Sequence, residues 1–315
     1  MKNDVRIVAR NNGVGIDRDV EILRTAIGRW TEPPAFSGYR SISPLRQWVG
    51  HRRRGSTIVF LERVATRWLR SAEQFILIPN QERFPRRLLG TLRRVDHILC
   101  KSRHARSIFA EHHESVHYSG FTSIDRRMQG VAPDAREFFH LGGGSSLKGT
   151  DMLVGLWRRR SDWPRLTVVW HRRGGIEGRM PDNIRMITHY LPDEELRRLQ
   201  NECGVHLCPS RSEGWGHYLV EAMSCGATVV TTDGPPMNEI VGPARGVLVP
   251  HDHSEPRKMG VNYFMDVVAL ERSVDELVSA PAAHSIELGQ AARAWYEENH
   301  RAFLARLEAL WDGVV

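Results

Sequence analysis

The chain has 315 residues, 41% of them apolar and 26% charged, a globular composition that leaves room for one large or two medium domains and excludes a disordered chain. No uncharged apolar run reaches the roughly 18 residues that a membrane helix needs, and the start, MKNDVRIVAR, is too short and too charged for a signal peptide. Four cysteines (Cys100, Cys203, Cys208, Cys225) with no CxxC pair argue against a disulfide scaffold or zinc ribbon and for a reduced, cytoplasmic setting.

The net charge of +7 is unevenly spread. Residues 1–133 hold 24 Lys+Arg against 12 Asp+Glu, or +12, and residues 134–315 hold 20 against 25, or −5. Such asymmetry suggests two domains with different partners. Lysine occurs only at positions 2, 101, 148 and 258, so a lysine inside a motif is informative.

In chain order, residues 5–9 read as a strand, followed by the glycine loop Gly13-Val14-Gly15 and a helix over 19–27. Residues 31–56 carry no readable element. A strand at 75–78 runs into Asn80-Gln81-Glu82; a strand at 96–100 and a helix at 105–111 follow, and Pro133 marks a break. Beyond it, 138–141 is a short apolar strand ending in Gly142-Gly143-Gly144, and Lys148-Gly149-Thr150-Asp151 opens a helix. Strands at 166–170, 184–188, 205–208 and 227–232 then alternate with helices over 193–201, 219–224 and from 237. The stretch 291–311 reads as a long amphipathic helix with Trp295, Phe303, Leu304, Leu307 and Leu310 on one side. Alternating strands and helices imply α/β domains with parallel sheets, whose ligands bind at the carboxyl ends of the strands. The expected division is 1–133, 134–290 and a terminal helix 291–315 crossing back to the first domain.

The most informative stretch is Pro209-Ser210-Arg211-Ser212-Glu213-Gly214-Trp215-Gly216-His217-Tyr218-Leu219-Val220-Glu221-Ala222. It leaves a strand and enters a helix. Its glycines allow close backbone approach, and the helix start offers N–H groups and a positive dipole end to an anion. Glu213 in the loop and Glu221 a turn inside the helix are placed to accept hydrogen bonds from vicinal hydroxyls. Two carboxylates flanking an anion site suggest a sugar and a ribose joined by a diphosphate.

These residues resemble the retaining GT-B glycosyltransferases of family 4, the glycosyl transferases group 1, such as those that build bacterial surface polysaccharides. Glu213 and Glu221 match the E-x7-E signature. Ser146-Leu147-Lys148-Gly149, Cys208-Pro209-Ser210, Glu221-Ala222-Met223-Ser224-Cys225-Gly226 and Thr232-Asp233-Gly234-Pro235-Pro236-Met237-Asn238-Glu239 follow the family in order, over about 136–250. The resemblance implies two Rossmann-like doubly wound domains facing a cleft. It implies a UDP- or GDP-sugar donor and retention at the anomeric carbon, without an obligate metal or other cofactor. Lys148 would hold the diphosphate together with the glycine loop at Gly143 and Gly144. Glu213 would bind the transferred sugar, Glu221 the ribose, and Gly214, Trp215, Gly216, His217 and Tyr218 the phosphate and sugar oxygens. Tyr190 and Leu191 would lie near the base. The family commonly has an arginine six residues before the lysine; here that position is Gly142, with Arg172 or Arg173 as candidate substitutes.

On the acceptor side, Gly13 and Gly15 match the family's glycine loop, and Asn80, Gln81 and Glu82 stand at a strand end. Asp17 or Glu82 would orient or deprotonate an acceptor hydroxyl, on a glycan or a lipid-linked carrier. Two other motifs have plainer readings. His113-Glu114-Ser115-Val116-His117 fits the zinc pattern HExxH, but its second half reads as a strand; Asp17-Arg18-Asp19 fits DxD, but reads as a helix cap. The arginines of 52–54 and of 84–95, with Leu88, Leu89, Leu92 and Val95 in one stripe and Trp48 and Trp68 nearby, suit a peripheral contact with the inner face of an anionic membrane. No nucleic-acid motif accompanies the charge. The alternatives are a nucleotide-sugar epimerase or hydrolase on the same fold, and a non-catalytic carbohydrate- or membrane-binding relative.

Overall fold

The computed structural model describes residues 4–10, 15–41, 55–171 and 178–314. The chain forms two compact units. The first comprises Met1–Ile124, Pro256–Gly260 and Asn299–Val315, and the second Asp125–Glu255 and Val261–Glu298.

The first unit is built on six parallel strands: β1 (Asp4–Ala9), β2 (Ala35–Gly38), β3 (Ser56–Glu62), β4 (Gln74–Pro79), β5 (His97–Cys100) and β6 (Val116–Tyr118). Their order is β2-β1-β3-β4-β5-β6, with parallel pairing throughout. β3, STIVFLE, is buried on both faces, which is why it reads as a continuous apolar run rather than an alternating one. Order in this sheet reverses between β1 and β3, the position at which open α/β sheets form a ligand crevice. The helix after β1 spans Gly15–Ile27, so Asp17 lies within its first turn rather than ahead of it as a cap.

The second sheet contains β7 (Asp134–Gly143), β8 (Leu166–Trp170), β9 (Ile184–Ile187), β10 (Cys203–Cys208), β11 (Thr228–Thr232) and β12 (Gly246–Val249), in the order β12-β11-β10-β7-β8-β9, again all parallel. Here the order reverses between β7 and β10. A hairpin, β13 (His251–Arg257) and β14 (Gly260–Met265), follows; the sequence reading had no element there.

The division falls ahead of Pro133. Residues just after Ile124 are tied to the second unit: Arg126 N–H donates to Ser224 Oγ at 2.9 Å, and Met128 N–H to Asn201 Oδ1 at 2.8 Å. The terminal helix runs over Ala282–Val314, and its residues from Asn299 onward count with the first unit. There Asn299 Nδ2 donates to Phe121 O at 2.8 Å and Phe303 packs edge-on against Phe121. Its buried stripe is Ala292, Tyr296, Asn299, Phe303, Leu307 and Trp311, so Trp295, Leu304 and Leu310 are only half-buried flanks.

The 84–95 segment is a 3-10 helix, Arg86–Arg94. Leu92 and Val95 are buried in the first unit's core, with Leu88 and Leu89 packed against it beside Trp68 and Phe84. The stripe expected to face a membrane is therefore satisfied internally; its arginines are what remain outside. Trp48 and residues 52–54 lie outside the described residues. Among the described residues, no helix is long and apolar enough to cross a membrane.

All four cysteines are buried. Burial pushes the Cys100, Cys203 and Cys225 thiols up to about 12, and Cys208 is raised by the same cause.

Candidate functional site

The β7–β10 reversal in the second unit gathers the sequence's strongest motifs. Gly143 ends β7 and the loop after it carries Gly144 and Lys148; the loop after β10 carries Pro209 to Gly216. Two contacts fasten them. Arg211 N–H donates to Leu147 O at 2.9 Å, and Gly149, at φ 65°, lies so close to Pro209 that a Cβ would stand 2.9 Å from its carbonyl oxygen. Only glycine fits that conformation and that gap without strain.

Lys148 is held from two sides. Its Nζ donates to Leu141 O at 3.0 Å and stands 3.8 Å from the centroid of the Tyr218 ring. A cation over an aromatic face is attracted by the ring quadrupole. The ammonium is thus fixed beside the start of helix His217–Cys225, whose cap, Gly216, adopts φ 92°. Two positive elements, an ammonium and a helix dipole end, converge there.

Tyr218 is buried and also orders Glu213. The Ser210 hydroxyl donates to Glu213 Oε1 at 2.6 Å, so its oxygen accepts from the Tyr218 hydroxyl, also at 2.6 Å. Burial, followed by the nearby Cys208 and Glu213, pushes the phenol well above its ordinary range, keeping it a donor. Thr232 Oγ1 donates to Ser210 O at 2.8 Å and pins the loop to β11.

Glu221 departs from expectation. It is 0% exposed, so in this conformation its carboxylate meets the protein interior rather than a ribose. Gln200 Nε2 donates to Glu221 Oε2 at 3.5 Å; Gln200 Oε1 accepts from Arg126 Nε at 2.9 Å, and Arg126 Nη1 lies 2.8 Å from both Asp193 carboxylate oxygens. Arg126, itself buried, escaped the sequence reading because it is far from the motif in the chain. Leu191 is likewise a core residue, packed with Phe139, Val169, Ile187 and Leu199, whereas Tyr190 is 82% exposed beside the His171 ring. Trp215 is buried and His217 half-buried. Arg172 and Arg173 lie outside the described residues.

The structure accounts for the missing arginine. A Cβ at Gly142 would stand 2.5 Å from Thr150 Oγ1, 3.1 Å from Trp170 Cδ1 and 3.3 Å from His140 Nε2. That space holds a buried polar link instead. His140 Nδ1 contacts Leu207 O at 2.7 Å, which only accepts, so Nδ1 carries the proton and Nε2 accepts from the Thr150 hydroxyl at 2.8 Å. Burial lowers the His140 pKa to about 4, consistent with that neutral form.

In the first unit, Gly13 lies outside the described residues and Gly15 opens its helix. Asn80 is half-buried with Oδ1 lacking a partner. Gln81 and Glu82 are 1% and 6% exposed, because Met259 and Gly260 cover them: Met259 N–H donates to Gln81 O at 3.3 Å. Glu82 is thus enclosed rather than open to an acceptor hydroxyl. Sequence reading missed Glu62, a buried carboxylate at the end of β3 with φ 68°. The signal was available, since a strand TIVFL running into Glu62-Arg63 places charge where ligands bind. The HExxH residues do not share a helix: His117 sits in β6 and contacts Ser115 Oγ at 2.9 Å, and His113 contacts Val95 O.

Residues 179–271 match the model of the glycosyl transferases group 1. The chain is similar to O-antigen chain mannosyltransferase B of Escherichia coli, 41% identical over 87 residues, which is 27% of this chain and 22% of that protein. It is also similar to the serotype-specific mannosyltransferase WbdA of Escherichia coli, 32% identical over 74 residues, 24% of this chain and 9% of the other. The match thus spans less than a quarter of either relative. Two solved structures align along nearly the whole chain: sucrose-phosphate synthase from Thermosynechococcus elongatus (TM-score 0.72, 14% identity, 99% of each chain) and Anabaena HepE in complex with UDP (TM-score 0.70, 12% identity, 99% of this chain and 100% of that one). The fold of this chain is GT-B.

Proposed function

We propose that the chain is a retaining glycosyltransferase that moves a sugar from a UDP- or GDP-sugar to a hydroxyl of a glycan or lipid-linked acceptor in bacterial surface-polysaccharide synthesis. The observation that carries this reading is the convergence of Lys148, the start of helix His217–Cys225 and the Tyr218–Ser210–Glu213 chain at the sheet reversal. The similarity to O-antigen mannosyltransferases supports a polysaccharide acceptor, and the UDP complex of HepE supports a nucleotide donor.

In this reading the bond from the anomeric carbon to the diphosphate breaks and a bond to the acceptor oxygen forms on the same face. Negative charge develops on the leaving diphosphate, where Lys148 and the helix dipole stabilise it in place before the reaction begins. Glu213, oriented by Ser210, holds sugar hydroxyls. The acceptor proton passes to the departing phosphate oxygen. Glu221 acts from inside, fixing the helix through Gln200 and Arg126.

A thermal-shift panel of UDP-, GDP- and ADP-sugars tests the donor, since a ligand that binds only the native state raises its apparent stability. One nucleotide series is expected to stabilise the wild type and to lose that effect in Lys148→Ala and Glu213→Ala. Wild-type turnover in both variants overturns the assignment.

A further inference from the structure

The first unit has its own sheet reversal, between β1 and β3, and the carboxyl ends there and at β4 carry an excess of cations. Arg63 follows Glu62 at the end of β3, Arg83 and Arg86 follow β4, and Arg257 and Lys258 form the tip of the β13–β14 hairpin, which counts with this unit. The tip is fastened on the β4 loop: Lys258 Nζ donates to Arg83 O at 3.5 Å and Arg86 Nε to Lys258 O at 3.1 Å, in addition to the Met259–Gln81 bond.

Lys258 adopts φ 55°, a conformation uncommon for a lysine. Strain of that kind persists where the surroundings impose it and gathers at functional sites. Glu62 beside it also has a positive φ, and the Tyr39 hydroxyl contacts Leu61 O at 2.5 Å and Arg63 O at 3.0 Å across the bend.

The charges do not balance. Glu62 pairs with Arg63 at 3.1 Å and Glu82 lies 3.9 Å from Arg83, while among the described residues Arg257 and Lys258 have no carboxylate within ion-pair distance. Arg63 Nε and Arg257 Nε are buried with no hydrogen-bond partner. Buried donors of that kind normally have partners, and guanidinium N–H groups donate strongly to phosphate oxygens.

We propose that Arg63, Arg83, Arg257 and Lys258 form a phosphate-binding subsite that takes the phosphate or diphosphate group of an anionic acceptor. The word acceptor rests on the transferase reading; the anion site does not. Burial, and after it repulsion from Arg257, Arg83 and Arg63, lowers the Lys258 pKa, with Glu62 opposing the shift.

Calorimetric titration of the full chain with inorganic pyrophosphate at low ionic strength tests this. Arg257→Gln combined with Lys258→Asn is the first variant, asparagine being tolerant of positive φ. Arg63→Gln is the second, so a folding failure in one leaves the other informative. The expected result is loss of one binding event, or at least a tenfold weaker Kd, in each folded variant. Wild-type stoichiometry and affinity in a folded variant overturn the proposal. A short water-soluble polyprenyl diphosphate identifies the source. Tighter binding than pyrophosphate indicates a lipid-linked diphosphate, and equal binding indicates a free phosphorylated sugar. Nucleotide-sugar binding measured on the same variants keeps the two readings apart, because it depends on Lys148 and Glu213 and is expected to survive.

Discussion

Placing alanine at Gly142 tests whether the His140–Thr150 link is the reason this chain lacks the arginine. The new Cβ would stand 2.5 Å from Thr150 Oγ1, with Trp170 and His140 also inside ordinary contact distance. Overpacking of a tight core costs about 1–3 kcal/mol. If Thr150 moves aside, His140 Nε2 loses its donor, and an orphaned buried acceptor costs about 1–3 kcal/mol more. Gly142→Ala is therefore expected to lose about 2–6 kcal/mol in urea denaturation at neutral pH. Thr150→Ala alone is expected to lose about 1–3 kcal/mol. In the double variant the worst clash is gone and the link is broken only once, so the cost falls short of the sum by about 1 kcal/mol. Trp170 prevents a full rescue. Loss below about 0.5 kcal/mol in Gly142→Ala, or an additive cycle, refutes the reasoning. Gly142→Arg meets the same clash before its charge reaches a phosphate, so restoring the family residue is expected to lower stability without tightening nucleotide-sugar binding.

Three further outcomes follow from the geometry. Lys148→Ala is expected to lower kcat by about two to three orders of magnitude, the range seen when one preorganised charge-stabilising donor is removed; unchanged kcat in the folded variant contradicts its role. Burial depresses the pKa values of His140 and His206 to about 4 from the ordinary 6.5. Both imidazoles are neutral in the native state, while the unfolded chain takes up protons as pH falls below 6.5; their stabilisation is thus complete above that pH and is lost on the way down to about 4. At pH 5 the loss is roughly 2 kcal/mol per imidazole, and equal unfolding free energies at pH 7 and pH 5 would disprove it. Leu92→Ala is expected to cost about 2–5 kcal/mol in aqueous buffer because Leu92 is fully buried; a neutral effect would return that stripe to the membrane reading.

The sequence made the second sheet legible for a physical reason. Strands β8 and β11 are short β-branched runs, β7 ends in glycines and β10 and β12 run into prolines, and the ligand loops are spelled out locally, from Lys148-Gly149 to Glu213-Gly214. The partners that arrive from elsewhere in the chain were not legible. Arg126 reaches Glu221 through Gln200, and the Gly142 space is defined by Thr150 and Trp170 from two other elements. The arginine-rich segment 84–95 showed an apolar stripe clearly, but periodicity does not say whether a stripe faces a core or a lipid, and Phe84, Trp68 and Phe109 supplied the core. Hairpin β13–β14 was missed because HDHSEPR carries no apolar alternation and its residues are exposed up to Pro256.

The enclosure of all four sulfur atoms makes the native molecule blind to alkylating reagents. Cys100 belongs to the first unit, and Cys203, Cys208 and Cys225 to the second. A brief pulse of such a reagent during unfolding therefore writes its result in mass. One adduct records opening of the first unit and three record opening of the second, so the order in which the two sheets come apart can be read from the unaltered chain. A cysteine placed at the exposed position of Tyr190 would accept a fluorescent probe against that silent background.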